Sequence, residues 1–375
     1  MLLNEARGKR LLAAAGIAVP VGIEITTPAA VAGARFAFPV AVKAQVASGG
    51  RGLAGGVRRC NSEAEVSEAA AAILSTRFSG LLPSTVLVEP WLAIARELYL
   101  SVVIDGRAGG FVVLYAPKGG VDIETGPKPL AYPVGLARNF RAHVFRALLE
   151  SVEHDRKLLE QIVALARRLL RLAEAADCTT IEINPLAVLA DGSLTAADAK
   201  IVRDDAAAWR HADIATALEQ ARAAETEDVR RCLDANLMLV WLEGEVGLLS
   251  GGAGMTMAAM DAIEAAGGHA ACFLDCSGNP TPAGFGLALE LLDSNPTVRS
   301  ILVSMFGGGL QMDRVARTLI ELLRNRSSTK PLVLRLDGTR GDVATTLLAD
   351  AGFANHRALG PAVSEAVRLA QETTP

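Results

Sequence analysis

The sequence predicts an α/β protein of two domains, an α+β domain over residues 1–225 and a parallel-sheet domain over residues 236–375. A chain of 375 residues is longer than one typical compact domain. Its first part alternates short β-rich runs with long helical stretches, whereas from about Glu225 apolar strands and helices alternate regularly. Regular alternation of that kind indicates a parallel sheet with helices on both faces.

The elements of the first domain follow from local signals. The apolar N-terminal stretch is predicted as a helix from about Asn4 to Ala15 and not as a signal peptide, because Glu5 precedes the run and Gly16 ends it. Residues 154–176 repeat apolar side chains every three or four positions, which predicts a long amphipathic helix. The segment "LAVLADGSLTAADA" predicts an antiparallel hairpin around its Asp-Gly pair.

The second domain repeats one unit, a strand that ends in glycines and leads into a helix. The segments "GLLSGGAG" and "ILVSMFGGG" both have this form. Open α/β sheets bind ligands where strands end and helices begin. Glycine is also the ordinary residue of tight turns, but two such turns in one domain favour anion binding at helix N-termini.

The composition of the chain excludes some classes of function. A net charge of -4 provides no field that would attract nucleic acid, so no nucleic-acid partner is expected. The five cysteines are scattered without a CxxC pair, which indicates neither a zinc site nor a disulfide framework. No apolar run approaches the roughly 20 residues of a membrane helix. We therefore expect a cytoplasmic enzyme with no membrane partner.

A lysine at the end of an apolar run precedes a glycine-rich loop in "KAQVASGGRGLAGG", which begins at Lys43. A strand lysine beside such a loop can neutralise phosphate charge while backbone N–H groups bind phosphate oxygens. The loop lacks the GK[ST] of a P-loop, and an exposed turn with a solvated lysine would have a similar sequence. Lys43 is a candidate phosphate ligand on this pattern.

Two oxygen-bearing side chains flank the predicted hairpin. Asn184 and Asp198 lie fourteen residues apart on runs joined by the Asp-Gly turn, so the hairpin could bring them together. Hard oxygen ligands beside nucleotide phosphates suit Mg²⁺, which completes its octahedron with water and phosphate. In isolation the same residues could be an Asn-Pro turn and an exposed aspartate.

Several motifs occur together in one order along the chain. The segments "KAQVASGGRGLAGGV", "VLVEPWLAIARELYLS", "GGVDIE", "IEINPL", "DAK" and "GGAGMTMAAMDAIEAAGG" resemble, collinearly and over nearly the whole length, the β subunit of succinyl-CoA synthetase, the ADP- or GDP-forming succinate–CoA ligase. The resemblance implies an N-terminal ATP-grasp domain followed by a flavodoxin-like CoA-ligase domain. It agrees with the domain boundary that the periodicity predicts.

The resemblance also implies roles for individual residues. It assigns catalysis to Glu182, which matches the residue that holds the partner's phosphohistidine near the nucleotide, and Mg²⁺ binding to Asn184 and Asp198. The positions implied for ATP or GTP are Lys43, Gly50, Arg51, Gly52, Glu89, Leu92 and Glu97. The positions implied for the acid substrate are Gly251, Gly308, Gly309 and Leu310.

The implied reaction is phosphoryl transfer, in which positioning and charge neutralisation provide the catalysis. In the family, the γ-phosphate passes to a histidine of a separate α subunit and then to a carboxylic acid, and CoA displaces phosphate from the acyl phosphate. The α subunit also carries most of the CoA site. This chain would supply the nucleotide half-site.

The chain departs from the family pattern mainly at the acid. Gly251 replaces an asparagine that contacts the acid, and Ala47 and Leu53 replace a histidine and a basic residue. Loss of an amide side chain removes a donor and is expected to open space, so an acid other than succinate, or succinate among others, is predicted. A single-chain carboxylate–amine ligase and a non-catalytic regulatory paralogue remain as alternatives.

Overall fold

The computed structural model describes residues 1–46, 54–120, 126–278 and 280–372. Two compact units make up the chain, Met1–Thr216 and Ala217–Pro375, and their boundary falls inside one helix. The domain limits 1–225 and 236–375 remain a prediction from the sequence. Gly50, Arg51 and Gly52 of the predicted phosphate loop lie outside the described residues, as do Ala47 and Leu53.

The first unit combines two antiparallel sheets, as the predicted α+β class requires. The four-stranded sheet has the order β1-β4-β2-β3, and the six-stranded sheet has the order β10-β8-β5-β6-β7 with β9 paired to β8. The elements are α1 (Glu5–Ala14), β1 (Ile23–Ile25), β2 (Val40–Ala44), β3 (Val57–Cys60), α2 (Glu63–Leu74), β4 (Val86–Pro90), β5 (Ile94–Asp105), β6 (Gly110–Ala116), β7 (Leu130–Gly135), α3 (Ala142–Leu149), α4 (Arg156–Ala175), β8 (Cys178–Leu189), β9 (Leu194–Ala196), β10 (Lys200–Arg203) and α5 (Ala212–Ala224), with short 3-10 helices at Pro28–Gly33, Ala137–Asn139 and Asp205–Arg210.

The long amphipathic helix predicted over residues 154–176 is α4. It begins after Asp155, whose carboxylate accepts hydrogen bonds from the backbone N–H groups of Lys157 and Leu158 at 2.8 and 3.2 Å. An acidic N-cap satisfies N–H groups that the helix itself leaves unpaired. The apolar face of α4 packs on the six-stranded sheet and forms one core with it.

The four-stranded sheet has a separate core. Helix α2 covers one of its faces, and buried side chains such as Val42, Val66 and Val88 meet there. Helix α1 instead lies against β10, where a Cβ atom on Gly8 would be 3.6 Å from the Cβ of Ala199. The close packing of α1 at this place brings its first turn to the functional residues described below.

The second unit is a mixed, mostly parallel sheet of five strands in the order β11-β13-β12-β14-β15. Strands β12 to β15 are parallel, as predicted, whereas β11 is an antiparallel edge strand that the sequence pattern did not reveal. The elements are α6 (Glu227–Asp234), β11 (Met238–Trp241), β12 (Val246–Ser250), α7 (Ala253–Ala265), β13 (Cys272–Asp275), α8 (Pro282–Ser294), β14 (Ser300–Gly307), α9 (Met312–Arg324), β15 (Leu332–Gly338), α10 (Gly341–Asp350) and α11 (Leu359–Glu372).

Helices cover both faces of this sheet, which confirms the predicted layering. Ile263 of α7 and Val363 of α11 pack with Leu248 on one face. Phe285 of α8, Leu319 of α9 and other side chains pack on the opposite face. Because both faces are buried, the parallel strands are almost continuously apolar.

All five cysteines are buried as free thiols. Burial raises the pKa of the Cys272 thiol to about 12, so this thiol stays protonated at neutral pH. Among the residues that the structure describes, no helix combines the length and the apolar character needed to cross a membrane.

Candidate active site

Lys43 lies near the end of β2, on a face that it shares with Glu89 of β4. Ala41 pairs with Glu89 and Lys43 pairs with Leu87, so Lys43 and Glu89 are diagonal neighbours of the antiparallel ladder. Diagonal neighbours on one face are within reach of long side chains. The two charges meet because of strand register.

A buried cluster of two lysines and two glutamates forms around this pair. The Nζ atom of Lys43 lies 2.5 Å from Glu89 Oε1 and 2.9 Å from Glu5 Oε1. The Nζ atom of Lys9 lies 2.7 Å from Glu5 Oε1 and from Glu89 Oε2, and 2.8 Å from Glu89 Oε1. At most 11% of any of the four side chains is exposed, and the charges sum to zero. Buried charges persist when they are paired in this way.

The carbonyl oxygen of Ala197 joins this cluster from the six-stranded sheet. It accepts a hydrogen bond from each ammonium group, at 2.8 Å from Lys43 and 2.8 Å from Lys9. Both lysines therefore share three acceptors, namely one oxygen of each glutamate and this carbonyl. The cluster connects β2 and β4 with the segment that carries Asp198.

The two lysines differ electrostatically. Burial would lower the pKa of Lys43, but the carboxylates of Glu5 and Glu89 outweigh it and raise that pKa above its ordinary value. For Lys9 burial prevails, and with the neighbouring ammonium of Lys43 it lowers the pKa. Lys43 is consequently the more firmly protonated of the two.

Helix α1 is fixed in a way that points Glu5 and Lys9 into the cluster. Asn4 caps the helix by accepting from the N–H of Arg7 at 2.9 Å. The amide oxygen of Gln45, just past β2, accepts from the N–H of Ala6 at 2.9 Å. Glu5 and Lys9 lie one turn apart on one helix face, so both side chains reach the same place.

The hairpin of β8 and β9 brings Asn184 and Asp198 opposite each other. Glu182 pairs with Lys200 and Leu186 pairs with Ala196, and the N–H of Ala197 donates to the carbonyl of Pro185 at 3.1 Å. The pairings on both sides of this position therefore place Asn184 directly opposite Asp198. Opposite residues of an antiparallel pair have Cα atoms about 4.5–5.5 Å apart.

A β-bulge distorts β8 at Asn184. Leu98 and Leu100 of β5 pair with Leu186 and Ile183, so β8 holds one extra residue there. Bulges often occur next to active sites, where they redirect a side chain. Glu182 and Asn184 are both partly exposed, whereas Ile183 between them is buried.

The side-chain amide of Asn184 holds the Gly119–Gly120 turn. Its Oδ1 accepts from the N–H of Gly120 at 2.6 Å, and its Nδ2 donates to the carbonyl of the same residue at 3.2 Å. A Cβ atom on Gly119 would lie 2.3 Å from the carbonyl oxygen of Leu98, so only glycine fits there. A Cβ on Gly120 would lie 2.7 Å from Glu97 Oε2, which places the Glu97 carboxylate beside this turn.

The donor set at the hairpin fits Mg²⁺. The Asn184 amide oxygen has a second lone pair beyond its bond to Gly120. The Asp198 carboxylate accepts from the N–H of Ala199 at 2.7 Å, and a carboxylate offers about four lone-pair sites in all. One amide and one carboxylate oxygen are the hard ligands that Mg²⁺ takes from proteins.

At Glu89, one of the positions implied for the nucleotide, the side chain points into the lysine cluster. The carboxylate of Glu89 is 97% buried in the lysine cluster. Beyond it, Trp91 donates its N–H to the carbonyl of Pro39 at 2.9 Å, and the Arg59 guanidinium lies 5.5 Å from the centre of the Trp91 ring. Leu92 follows, partly exposed, before β5 begins.

The sequence patterns do not mark Glu5 and Lys9 as members of this site. Four residues apart on a helix, they form a common surface pair. The signal that could have revealed them is their position on the helix face that also carries Leu12, because charged residues at core positions of a helix demand buried partners.

The strand order of the second unit has a switch point at the ends of β12 and β14. From β12 the chain moves to β13 on one side and then crosses to β14 on the other, so the strand order reverses between β12 and β14. Ligands of open α/β sheets bind at such a switch point. Gly251 follows β12, and Gly308, Gly309 and Leu310 follow β14, so all four predicted acid-binding residues lie at this edge.

A cavity of about 550 Å³ opens beside the loop after β14. Gly309 and Leu310 line it together with Phe285, Arg314 and Val315. Polar and apolar atoms contribute about equally to its wall, and among the described residues that line it Arg314 is the charged one.

The structure corrects the expectation that Gly251 opens space. A Cβ atom at this position would lie 2.7 Å from the methyl carbon of Met305, which is buried in β14. The room that an amide side chain would take is therefore filled by Met305. Relative to the asparagine that the family resemblance implies, this position lacks an amide donor and lies beside an apolar methyl group.

Comparison with known proteins agrees with this architecture. Residues 2–188 match the family model of the ATP-grasp domain, and residues 249–369 match that of the CoA-ligase domain. The chain is 36% identical to the succinate–CoA ligase [ADP-forming] subunit beta of Chloroflexus aurantiacus, over 99% of each chain. It is 34% identical to the subunit of the same name from Roseiflexus sp., over 99% of this chain and 100% of the other.

A solved structure shares the fold at low sequence identity. The ATP citrate lyase of Methanothrix soehngenii, determined with citrate and coenzyme A, superposes with a TM-score of 0.65 at 16% identity, over 88% of this chain and 87% of that one. An ATP-grasp domain followed by a CoA-ligase domain defines a nucleotide-binding acid–thiol ligase. Within that class, the chain belongs to the β-subunit family of ADP-forming succinate–CoA ligase.

Proposed function

We propose that this chain is the nucleotide-binding β subunit of an acid–CoA ligase. It binds ATP, or GTP, with Mg²⁺ in its first unit and exchanges phosphate with a phosphohistidine on a partner α subunit. The complex forms an acyl-CoA from succinate or a related carboxylic acid. The partner supplies the histidine and most of the CoA site.

The observation that carries the proposal is the contact between Lys43 and the Asn184–Asp198 hairpin. The ammonium group of Lys43 is 2.8 Å from the carbonyl oxygen of Ala197, one residue before Asp198. A cation for phosphate and two oxygen ligands for Mg²⁺ are thus adjacent, although they come from different sheets. Phosphoryl transfer requires this combination of charges.

Each residue of the site has a role in this proposal. Lys43 offsets negative charge on the phosphates, and Glu97 contacts the nucleotide beside the Gly119–Gly120 turn. Glu182 orients the partner's histidine for in-line transfer. Mg²⁺ held by Asn184 and Asp198 would neutralise phosphate oxygens and fix their geometry. Little covalent chemistry remains for the protein, so rate depends on positioning.

The proposed acid site is the edge formed by Gly251 and Gly308–Leu310. Because the Met305 methyl group occupies the side-chain room at Gly251, the acid meets an apolar surface where an amide would donate. We propose that this change favours acids with a more apolar chain over succinate. The site would discriminate between acids because a polar group of the acid would have no hydrogen-bond partner there.

Purification of the tagged chain from its host, followed by mass spectrometry, tests the proposed assembly. The proposal predicts a stoichiometric partner that becomes phosphorylated on histidine when the complex receives ATP and Mg²⁺. A chain that purifies alone and releases ADP with an acid and an amine would instead be a single-chain carboxylate–amine ligase. A complex that binds no nucleotide would be a non-catalytic regulatory paralogue.

A further inference from the structure

The buried cluster contains a second lysine that the proposed reaction does not use. Lys9 is more deeply buried than Lys43, with 5% of its side chain exposed against 11%. It shares with Lys43 the oxygens Glu5 Oε1, Glu89 Oε1 and the carbonyl of Ala197. The Nζ atom of Lys9 also donates to Glu89 Oε2, at 2.7 Å.

The donors of Lys43 are fully committed in this arrangement. An ammonium group has three N–H donors, and in the described part of the chain Lys43 Nζ lies within reach of one oxygen of Glu5, one of Glu89 and the carbonyl oxygen of Ala197. A hydrogen bond from Lys43 to a phosphate oxygen therefore requires that one of these acceptors be exchanged. Each acceptor that Lys43 releases is buried, and an unpaired buried carboxylate is costly.

Lys9 removes that cost because it already contacts every acceptor that Lys43 would release. We propose that Lys9 is a positioning residue, which keeps Glu5, Glu89 and the Ala197 carbonyl paired so that Lys43 can turn to the nucleotide phosphates. This inference rests on the proposed function. Lys9 acts through Lys43 and does not itself touch the nucleotide.

Charge balance distinguishes this role from a direct contact. Lys9→Met removes one of the two ammonium groups that pair with the buried carboxylates of Glu5 and Glu89, which binds Lys43 more tightly to the cluster and weakens its exchange. Glu5→Gln combined with Lys9→Met leaves Lys43 with one carboxylate, so the cluster is neutral again. One donor of Lys43 then contacts only a neutral amide, and a phosphate oxygen can replace it.

The test is calorimetric titration of the full-length chain with a non-hydrolysable ATP analogue and Mg²⁺. We expect Lys9→Met to raise Kd on the order of tenfold, as for coupled residues of one ion-pair network. The double variant should regain most of the affinity. Lys157→Met, the same change at an exposed lysine of the same unit, should bind as the wild type does. In the assembled ligase, Lys9→Met should raise KM for ATP and leave KM for the acid unchanged.

Three results would overturn the inference. Lys9→Met could bind the analogue as tightly as the wild type, which would leave the proposed function intact. The double variant could bind the analogue on the order of tenfold more weakly than the wild type, which would indicate a direct contact of Lys9 with the nucleotide. Because this comparison needs only the double variant and the wild type, it also decides the matter if Lys9→Met does not fold. A wild-type chain without measurable nucleotide binding would contradict the proposed function as well.

Discussion

The ammonium nitrogen of Lys43 lies 2.8 Å from the carbonyl oxygen of Ala197, which is 154 residues further along the chain. This contact joins the four-stranded and six-stranded sheets of the first unit at one buried point. The proposed nucleotide chemistry depends on it, because it sets a cation beside the hairpin that carries Asn184 and Asp198.

Lys43→Met tests the phosphate contact. Loss of a hydrogen bond to a charged group costs about 1.5–3 kcal/mol, so Kd for ATP should rise roughly 10- to 150-fold. Isothermal titration with Mg²⁺ present measures the change, and Lys157→Met is the matched control. Unchanged affinity in Lys43→Met would show that Lys43 serves only to neutralise the two glutamates.

Asp198→Asn tests the proposed Mg²⁺ ligand. Replacement of a carboxylate oxygen by a neutral amide weakens attraction for a hard cation, and the Mg²⁺ concentration for half-maximal nucleotide binding should rise at least roughly tenfold. Asp350→Asn, at an exposed position of α10, is the control. An identical Mg²⁺ dependence in the Asp198 variant would remove this residue from the metal site.

Gly251 and Met305 together test the origin of acid preference. Gly251→Asn alone should displace the Met305 methyl group, because a Cβ atom at this position would lie 2.7 Å from it. Adding Met305→Ala makes room for the amide, and the ratio of kcat/KM for succinate to that for a monocarboxylic acid should then rise. Steady-state kinetics of the double variant measures this ratio, and no change in it would exclude Gly251 from the acid site.

The Asp293–Arg326 pair predicts a pH dependence of stability. Burial opposes ionisation of Asp293, but hydrogen bonds from Arg326 outweigh it and lower the pKa below the ordinary value of 3.8. A lowered pKa in the folded protein adds stability that is present above pH 3.8 and lost as the pH falls through the folded-state pKa. Asp293→Asn should therefore cost about 1 kcal/mol at neutral pH and progressively less below pH 3.8.

Thermal unfolding of the wild type and Asp293→Asn across this pH range measures the difference. Asp350→Asn controls for the change of net charge, because that aspartate is exposed. A Tm difference that stays constant into strong acid would show that ionisation of Asp293 does not stabilise the folded protein.

Local sequence patterns predicted the elements that depend on local chemistry. The helix from Asn4 to Ala15 appears as Glu5–Ala14 with Asn4 and Ala15 as its caps. The Asp-Gly hairpin forms and brings Asn184 opposite Asp198, since its register follows from turn length. The β-α rhythm after residue 236 likewise gives the parallel strands and both helical layers.

Tertiary contacts between distant segments could not be predicted from those patterns. Lys9 and Glu89 are 80 residues apart, and no periodicity marks their contact. The filling of the room at Gly251 by Met305 depends on how neighbouring strands align. The edge strand β11 is short and half exposed, so its direction is set by pairing with β13 and not by its own residues.

The measurement that tests the central claim most directly is ADP release by the chain in complex with its copurified partner, with ATP, Mg²⁺, CoA and a panel of carboxylic acids. We predict release that requires both CoA and an acid, and that Lys43→Met suppresses. ADP release that proceeds without CoA or without the partner, on an acid and an amine, would contradict the assignment of this chain as the nucleotide half-site of an acid–CoA ligase.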